Sequence, residues 1–151
     1  MGYSIQALVA PLGVFPSELP GDLEVIALDE NMQLIPLGTT AQERYGIPFL
    51  PLTDDGATEL PATLRPLWQQ LGDAGDMAYI EAEIFGGLGT QAYVMIGRGD
   101  RVGAPVVSTD AINVALRLLG VKATTSKDEF DSVGLGKHRD TDCWLTENRA
   151  P

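Results

Sequence analysis

Hydrophobic and polar positions change period along the chain, and each change of period marks an element. Over Met77–Phe85 the period is two. Ala78, Ile80, Ala82 and Ile84 alternate with Met77, Tyr79, Glu81, Glu83 and Phe85, as in a strand with one face in the core and the other wet. The first set is expected to face the core. Thr90–Ile96 reads as its partner strand, and Gly86-Gly87-Leu88-Gly89 supplies the positive φ angles of a tight connection. Tyr3–Ala10 is short and apolar enough for another strand before Pro11, Gly13, Pro16 and Pro20-Gly21 break the chain. Leu23–Leu28 and Met32–Leu37 flank the polar Asp29-Glu30-Asn31, which predicts a β-hairpin.

Elsewhere the period is helical. Leu64, Leu67, Trp68 and Leu71 recur at i, i+3, i+4 and i+7, so they form one buried face of a helix. Pro66 is expected to hold Arg65 out of the α region, and Gly72 to stop the helix. Ile112, Val114, Ala115, Leu118 and Leu119 make an amphipathic helix capped by Ser108 or Thr109, with Gly120 at C′. Thr40-Ala41-Gln42-Glu43 and Ser126-Lys127-Asp128-Glu129 match capping boxes. The first opens a brief helix ended by Gly46, the second a short one through Val133. The tail from Gly134 is polar and irregular, pinned by Trp144 and Leu145. These elements predict an α+β fold: a single domain over residues 1–151, with a mainly antiparallel sheet and three to four short helices packed on it. Pro48–Pro61 (48–61) marks the place where a seam between two lobes would fall.

Length and charge narrow the function classes. The chain has 151 residues, 44% of them hydrophobic, enough apolar content for a core without disulfides or metal. No apolar run approaches the ~18 residues of a membrane helix. The opening Met1-Gly2-Tyr3-Ser4-Ile5-Gln6 has no charged signal-peptide region. A single cysteine, Cys143, is expected to sit in a reducing, cytoplasmic compartment. Ten basic residues face 21 acidic ones, for a net charge of −11. The imbalance is local: residues 1–96 hold only Arg44 and Arg65 against thirteen acids, whereas residues 97–151 hold eight of each. Such a field repels nucleic acid and anionic membrane alike and favours a basic protein partner or a divalent cation. Plain solubility is the competing reason for the same charge.

Candidate chemistry is sparse, and no cofactor or metal is expected. Glu81 and Glu83 project from one strand face roughly 7 Å apart, a spacing compatible with acid–base pairs, with a hard cation, or with the wet face of a sheet. A contact for a basic partner lies between those readings. Gly86-Gly87-Leu88-Gly89-Thr90 resembles a phosphate-binding loop but lacks its lysine and following helix. His138 and Cys143 lie in Gly136-Lys137-His138-Arg139-Asp140-Thr141-Asp142-Cys143-Trp144 and suit a thiol pair or two metal ligands, one or two short of a zinc site. An internally paired basic loop is the plainer reading. Trp68, Trp144, Phe85 and Phe130 are expected in the core or as interface anchors.

Tyr79-Ile80-Glu81-Ala82-Glu83-Ile84-Phe85-Gly86-Gly87-Leu88-Gly89-Thr90-Gln91 resembles the hairpin signature of a family of small acidic bacterial proteins of uncharacterised activity. Leu34-Ile35-Pro36-Leu37, Ala111–Val121, Asp128–Arg139 and Trp144 extend the resemblance over most of the chain. In size, acidity and domain type that family is similar to immunity proteins that neutralise bacterial toxins. The resemblance implies a binding protein without catalysis, with a basic toxin or effector as partner and Glu81, Glu83, Asp54, Asp55, Asp73 and Asp76 as its acidic surface. Two other classes stay open. One is a small hydrolase built on Glu81/Glu83 or on Cys143/His138. The other is a ligand-sensing or structural module, dimeric through an unpaired strand edge.

Overall fold

Ten consecutive residues, Gly2–Pro11, form strand β1, which is central because both of its edges find partners. The computed structural model describes residues 2–19, 23–71, 74–85, 88–98 and 101–145. Among these, β2 (Ile26–Ala27), β3 (Met32–Pro36), β4 (Met77–Phe85), β5 (Leu88–Gly97), β6 (Arg101–Val102) and β7 (Val106–Ser108) join β1 in one sheet. The order is β2-β3-β1-β4-β5-β6, with β7 also on β5, and every pairing is antiparallel. Helices α1 (Thr39–Tyr45), α2 (Arg65–Leu71), α3 (Ala111–Leu118) and α4 (Glu129–Val133) complete the α+β domain.

The hairpins follow their turn chemistry. Glu30 and Asn31 both take positive φ, 60° and 57°, and Leu28 N–H donates to Met32 O at 2.8 Å. The first arm is shorter than the Leu23–Leu28 expectation, since only Ile26 and Ala27 pair with β3. Phe85 pairs with Leu88, so Leu88 and Gly89 belong to β5 and not to the turn. Gly86 and Gly87, like Pro20, Gly21 and Gly72, lie outside the described residues.

Both faces of the sheet are covered, which corrects the expectation of a wet face. Ile5, Ala7, Val9, Ala78, Ile80 and Ala82 pack with Ile112, Ala115, Leu116, Val133 and Trp144 on one side. On the other, Leu8, Ile35, Met77, Tyr79 and Val94 pack with Ala41, Leu52, Leu64, Leu67, Trp68 and Leu71. Strands buried on both faces lose the alternation that would distinguish inside from outside. Leu50, Leu52 and Leu60 from the proline-rich 48–61 stretch are all buried.

The helix ends depart from the expected capping boxes. Helix α1 has Gly38 at its N-cap, which offers no side-chain cap of its own. Asp142, 103 residues away, accepts from Thr39 N–H at 2.8 Å and from its hydroxyl at 2.6 Å. Helix α4 is capped by Asp128, which accepts from Asp131 N–H, and α3 starts after Asp110 without a side-chain cap bond. Gly120 does follow α3 with φ 104°, as a C′ glycine should. Arg65 adopts helical φ −58°, ψ −48° despite the proline after it, because a 3-10 turn at Ala62–Leu64 runs directly into α2.

Candidate functional site

The polar centre of the molecule lies on β1 and β4. Register places Gln6 directly beside Glu81, and both side chains are 0% exposed. What buries them is the segment Ile47–Thr53, whose backbone bonds to both side chains. Gln6 Nε2 donates to Pro48 O at 2.9 Å and to the Tyr79 hydroxyl at 3.0 Å. Its Oε1 accepts from Leu50 N–H at 3.1 Å and Gln42 Nε2 at 3.2 Å. Glu81 takes the next bonds along the loop: Leu52 N–H at 3.1 Å, Thr53 N–H at 2.9 Å and Thr53 Oγ1 at 3.0 Å. The Tyr79 hydroxyl donates to Glu81 Oε2 at 2.5 Å.

This arrangement satisfies the buried acid with four donors, the condition under which a buried carboxylate is tolerated. Burial, then the Glu81 charge and its hydrogen bond, hold the Tyr79 hydroxyl well above the usual phenol range, against a smaller opposing effect of Gln6. Tyr79 therefore remains a donor. The loop meanwhile carries Leu50 at φ 43°, a strained conformation for a leucine, and bonds from Gln6 and Glu81 on either side hold it there.

Glu81 is thus removed from the expected acidic surface, and from any exposed carboxylate pair with Glu83, because its oxygens face loop donors. Glu83, two residues on, is half-buried at the rim. Its carboxyl is raised above the ordinary value by desolvation, then by the charge and hydrogen bond of Asp54 and the charge of Glu81. Asp54 and Asp55 are exposed on the loop. Asp76 is also exposed, but it precedes β4 and lies about 23 Å along the strand from Glu83 at ~3.3 Å per residue, beside a cleft shared with Arg101. Asp73 lies outside the described residues. The structure therefore brings together Glu83 and Asp54, with Asp55 next along the loop, and not Asp76.

Sequence reasoning missed Gln6, Tyr79 and Thr53 as one polar network, as well as Phe49, 52% exposed on the same loop. The available signal was Gln6, a lone polar side chain inside an apolar strand. Phe85 is 62% exposed, at the surface end of β4, while Trp68 and Trp144 are core residues. The His138 and Trp144 rings pack in a T-shaped arrangement with their centroids 4.6 Å apart. Cys143 is exposed and is absent from the walls of the cleft that His138 and Trp144 line. Among the described residues, no group of three or more His, Cys, Asp or Glu side chains is placed to hold a metal ion, and no helix is long and apolar enough to cross a membrane.

No family model, curated protein or solved structure matches this chain. The site must be read from its own chemistry: a rigidly anchored loop presenting Phe49, Asp54 and Asp55 beside the Glu83 carboxyl.

Proposed function

We propose that this protein is a non-catalytic binding protein of the immunity or inhibitor class, acting in the cytoplasm and engaging a basic protein such as a bacterial toxin through its acidic surface. The observation that carries this reading is the crowding of Glu83 against Asp54. Desolvation, then repulsion by the Asp54 charge and the hydrogen bond shared with it, raises the Glu83 carboxyl. Among the described residues no cation neutralises either group. A guanidinium or ammonium from a partner would relieve that repulsion and form charge-assisted bonds. The net charge of −11 would speed the encounter by steering. Phe49 supplies an apolar anchor of the kind that dominates interface energetics.

The hydrolase alternative built on Glu81 and Glu83 has no support in the geometry, since Glu81 is enclosed by its four donors. The test is affinity capture from the native host, washed across a salt gradient, using wild type and an Asp54→Lys/Glu83→Lys variant. A stoichiometric basic partner that elutes with salt and is lost by the variant is the expected result. No partner at any salt, or a partner retained equally by the variant, would overturn the reading.

A further inference from the structure

The opposite edge of the sheet holds a second, unrelated surface. Strand β2 is the terminal strand on that side. In an antiparallel ladder, alternate residues turn their N–H and C=O groups toward the neighbour and away from it. Leu28 N–H is bonded inward to Met32 O, so Ala27 and Asp29 are the outward-facing residues. Asp29 N–H is already paired outward, with Val133 O at 3.1 Å. Beyond that bond the two walls separate into a cleft of about 480 Å³. Val25–Leu28 form one wall, Gly134, Lys137 and His138 the other, and Trp144 part of the lining.

We propose that this cleft is a docking groove for an extended peptide segment that adds to β2 as a further strand and places a carboxylate against Lys137. Three features support one occupant of this kind. The backbone groups of Ala27 point away from β3 on the edge that lines the cleft, and strand addition satisfies them. Side chains on one face of the added strand would extend the apolar cluster that contains Ile26, Leu28, Val133 and Trp144. Lys137 is exposed and makes no ion pair among the described residues. Glu24 and Asp29 also line the cleft, on the β2 side, so the acidic preference is confined to the position facing Lys137. A second copy of this chain suits the groove poorly, because two such edges would bring their acids together on molecules each carrying −11.

The experiment pans a pooled library of N-acetylated, C-amidated random heptapeptides on the immobilised protein at about 0.15 M salt. Capping removes the terminal charges, so any acidic preference comes from a side chain. Expected are peptides with alternating apolar positions and one acidic residue, which on titration shift the backbone amide resonances of Ala27 and Lys137. Lys137→Glu should weaken them about tenfold, the loss of one charge-assisted bond, and turn the selection toward basic peptides. Ala27→Pro, tolerated at an edge whose N–H faces solvent, should abolish capture. The proposal is overturned by a library without enrichment, by enriched peptides that shift only other residues, or by a selection unchanged by Lys137→Glu. A concentration-dependent dimer that Ala27→Pro dissolves would overturn it as well, since β2 would then belong to a second copy.

Discussion

Substitution of Glu81 separates an enclosed anchor from an exposed rim charge. In Glu81→Ala, Leu52 N–H, Thr53 N–H and the Tyr79 hydroxyl lose their acceptor together. An unsatisfied buried donor costs roughly 1–3 kcal/mol, so about 3–6 kcal/mol is expected once the loop partly relaxes, a large share of a typical domain's stability. Glu81→Gln is milder and more diagnostic. Its amide oxygen can keep Leu52 and Thr53, and its NH2 group then faces Tyr79. That hydroxyl already accepts from Gln6 Nε2 and now has no acceptor for its own proton, leaving one orphan donor worth about 1–3 kcal/mol. Tyr79→Phe removes the orphan, so Tyr79→Phe/Glu81→Gln should cost less than the sum of the single changes, with a coupling of about 0.5–2 kcal/mol. Urea melts give the free energies. Hydrogen exchange gives the location, with the Leu52 and Thr53 amides losing protection in Glu81→Ala more than β3 does. A Glu81→Gln protein within about 0.5 kcal/mol of wild type, or a Glu81→Ala protein with unchanged Leu52 and Thr53 exchange, would refute the anchoring role.

Other expectations are simpler. In Gly38→Ala the new Cβ overlaps the Asp142 carboxylate that caps α1, so about 1–2 kcal/mol of stability should be lost in a thermal melt. Asp142→Ala alone should give a loss of the same order. Glu83 has a carboxyl raised above its ordinary value of 4.5, so the folded state holds that proton more tightly than the unfolded chain. Its contribution favours folding below that value and is lost as pH rises through the folded value. Glu83→Gln should therefore be more stable than wild type at pH 7 and lose that advantage on acidification. A melting temperature that falls equally with pH in both proteins would contradict the Asp54 contact.

Legibility in the sequence depended on how local each cause was. The β4–β5 pair was readable because alternation over Met77–Phe85 and the glycines after it are neighbours in the chain. The buried face of α2 was readable from Leu64, Leu67, Trp68 and Leu71 for the same reason. The cap on α1 was not, because its acceptor is Asp142 and the intervening chain had to fold first. Glu81 and Glu83 illustrate the limit most sharply. They share a strand face and a residue type, and nothing within five residues of either says which one a loop will cover. The decision comes from Ile47–Thr53, whose backbone donors reach Glu81 and stop short of Glu83. Gln6 was the trace that this covering leaves in the sequence, since a glutamine in a buried strand needs partners from outside the sheet.

The same covering loop bears on binding. Pro48, Leu50, Leu52 and Thr53 are bonded to side chains of the sheet itself, and Phe49, Asp54 and Asp55 lie between or directly after them. Their positions are therefore set by β1 and β4 and not by the mobility usual in surface loops. Ordering a rotamer-rich side chain at an interface costs about 0.5–1.5 kcal/mol, and a surface ordered in advance by folding avoids part of that cost. On the proposed binding reading, the buried Glu81 acts on partner affinity without touching the partner, by holding the loop that carries Asp54 in register with Glu83. Glu81→Ala, under conditions where it remains folded, should then speed dissociation while leaving the salt dependence of association intact. Asp54→Lys/Glu83→Lys should instead slow association and flatten that dependence. Identical kinetic signatures for the two variants would show that Glu81 contributes only as one more charge.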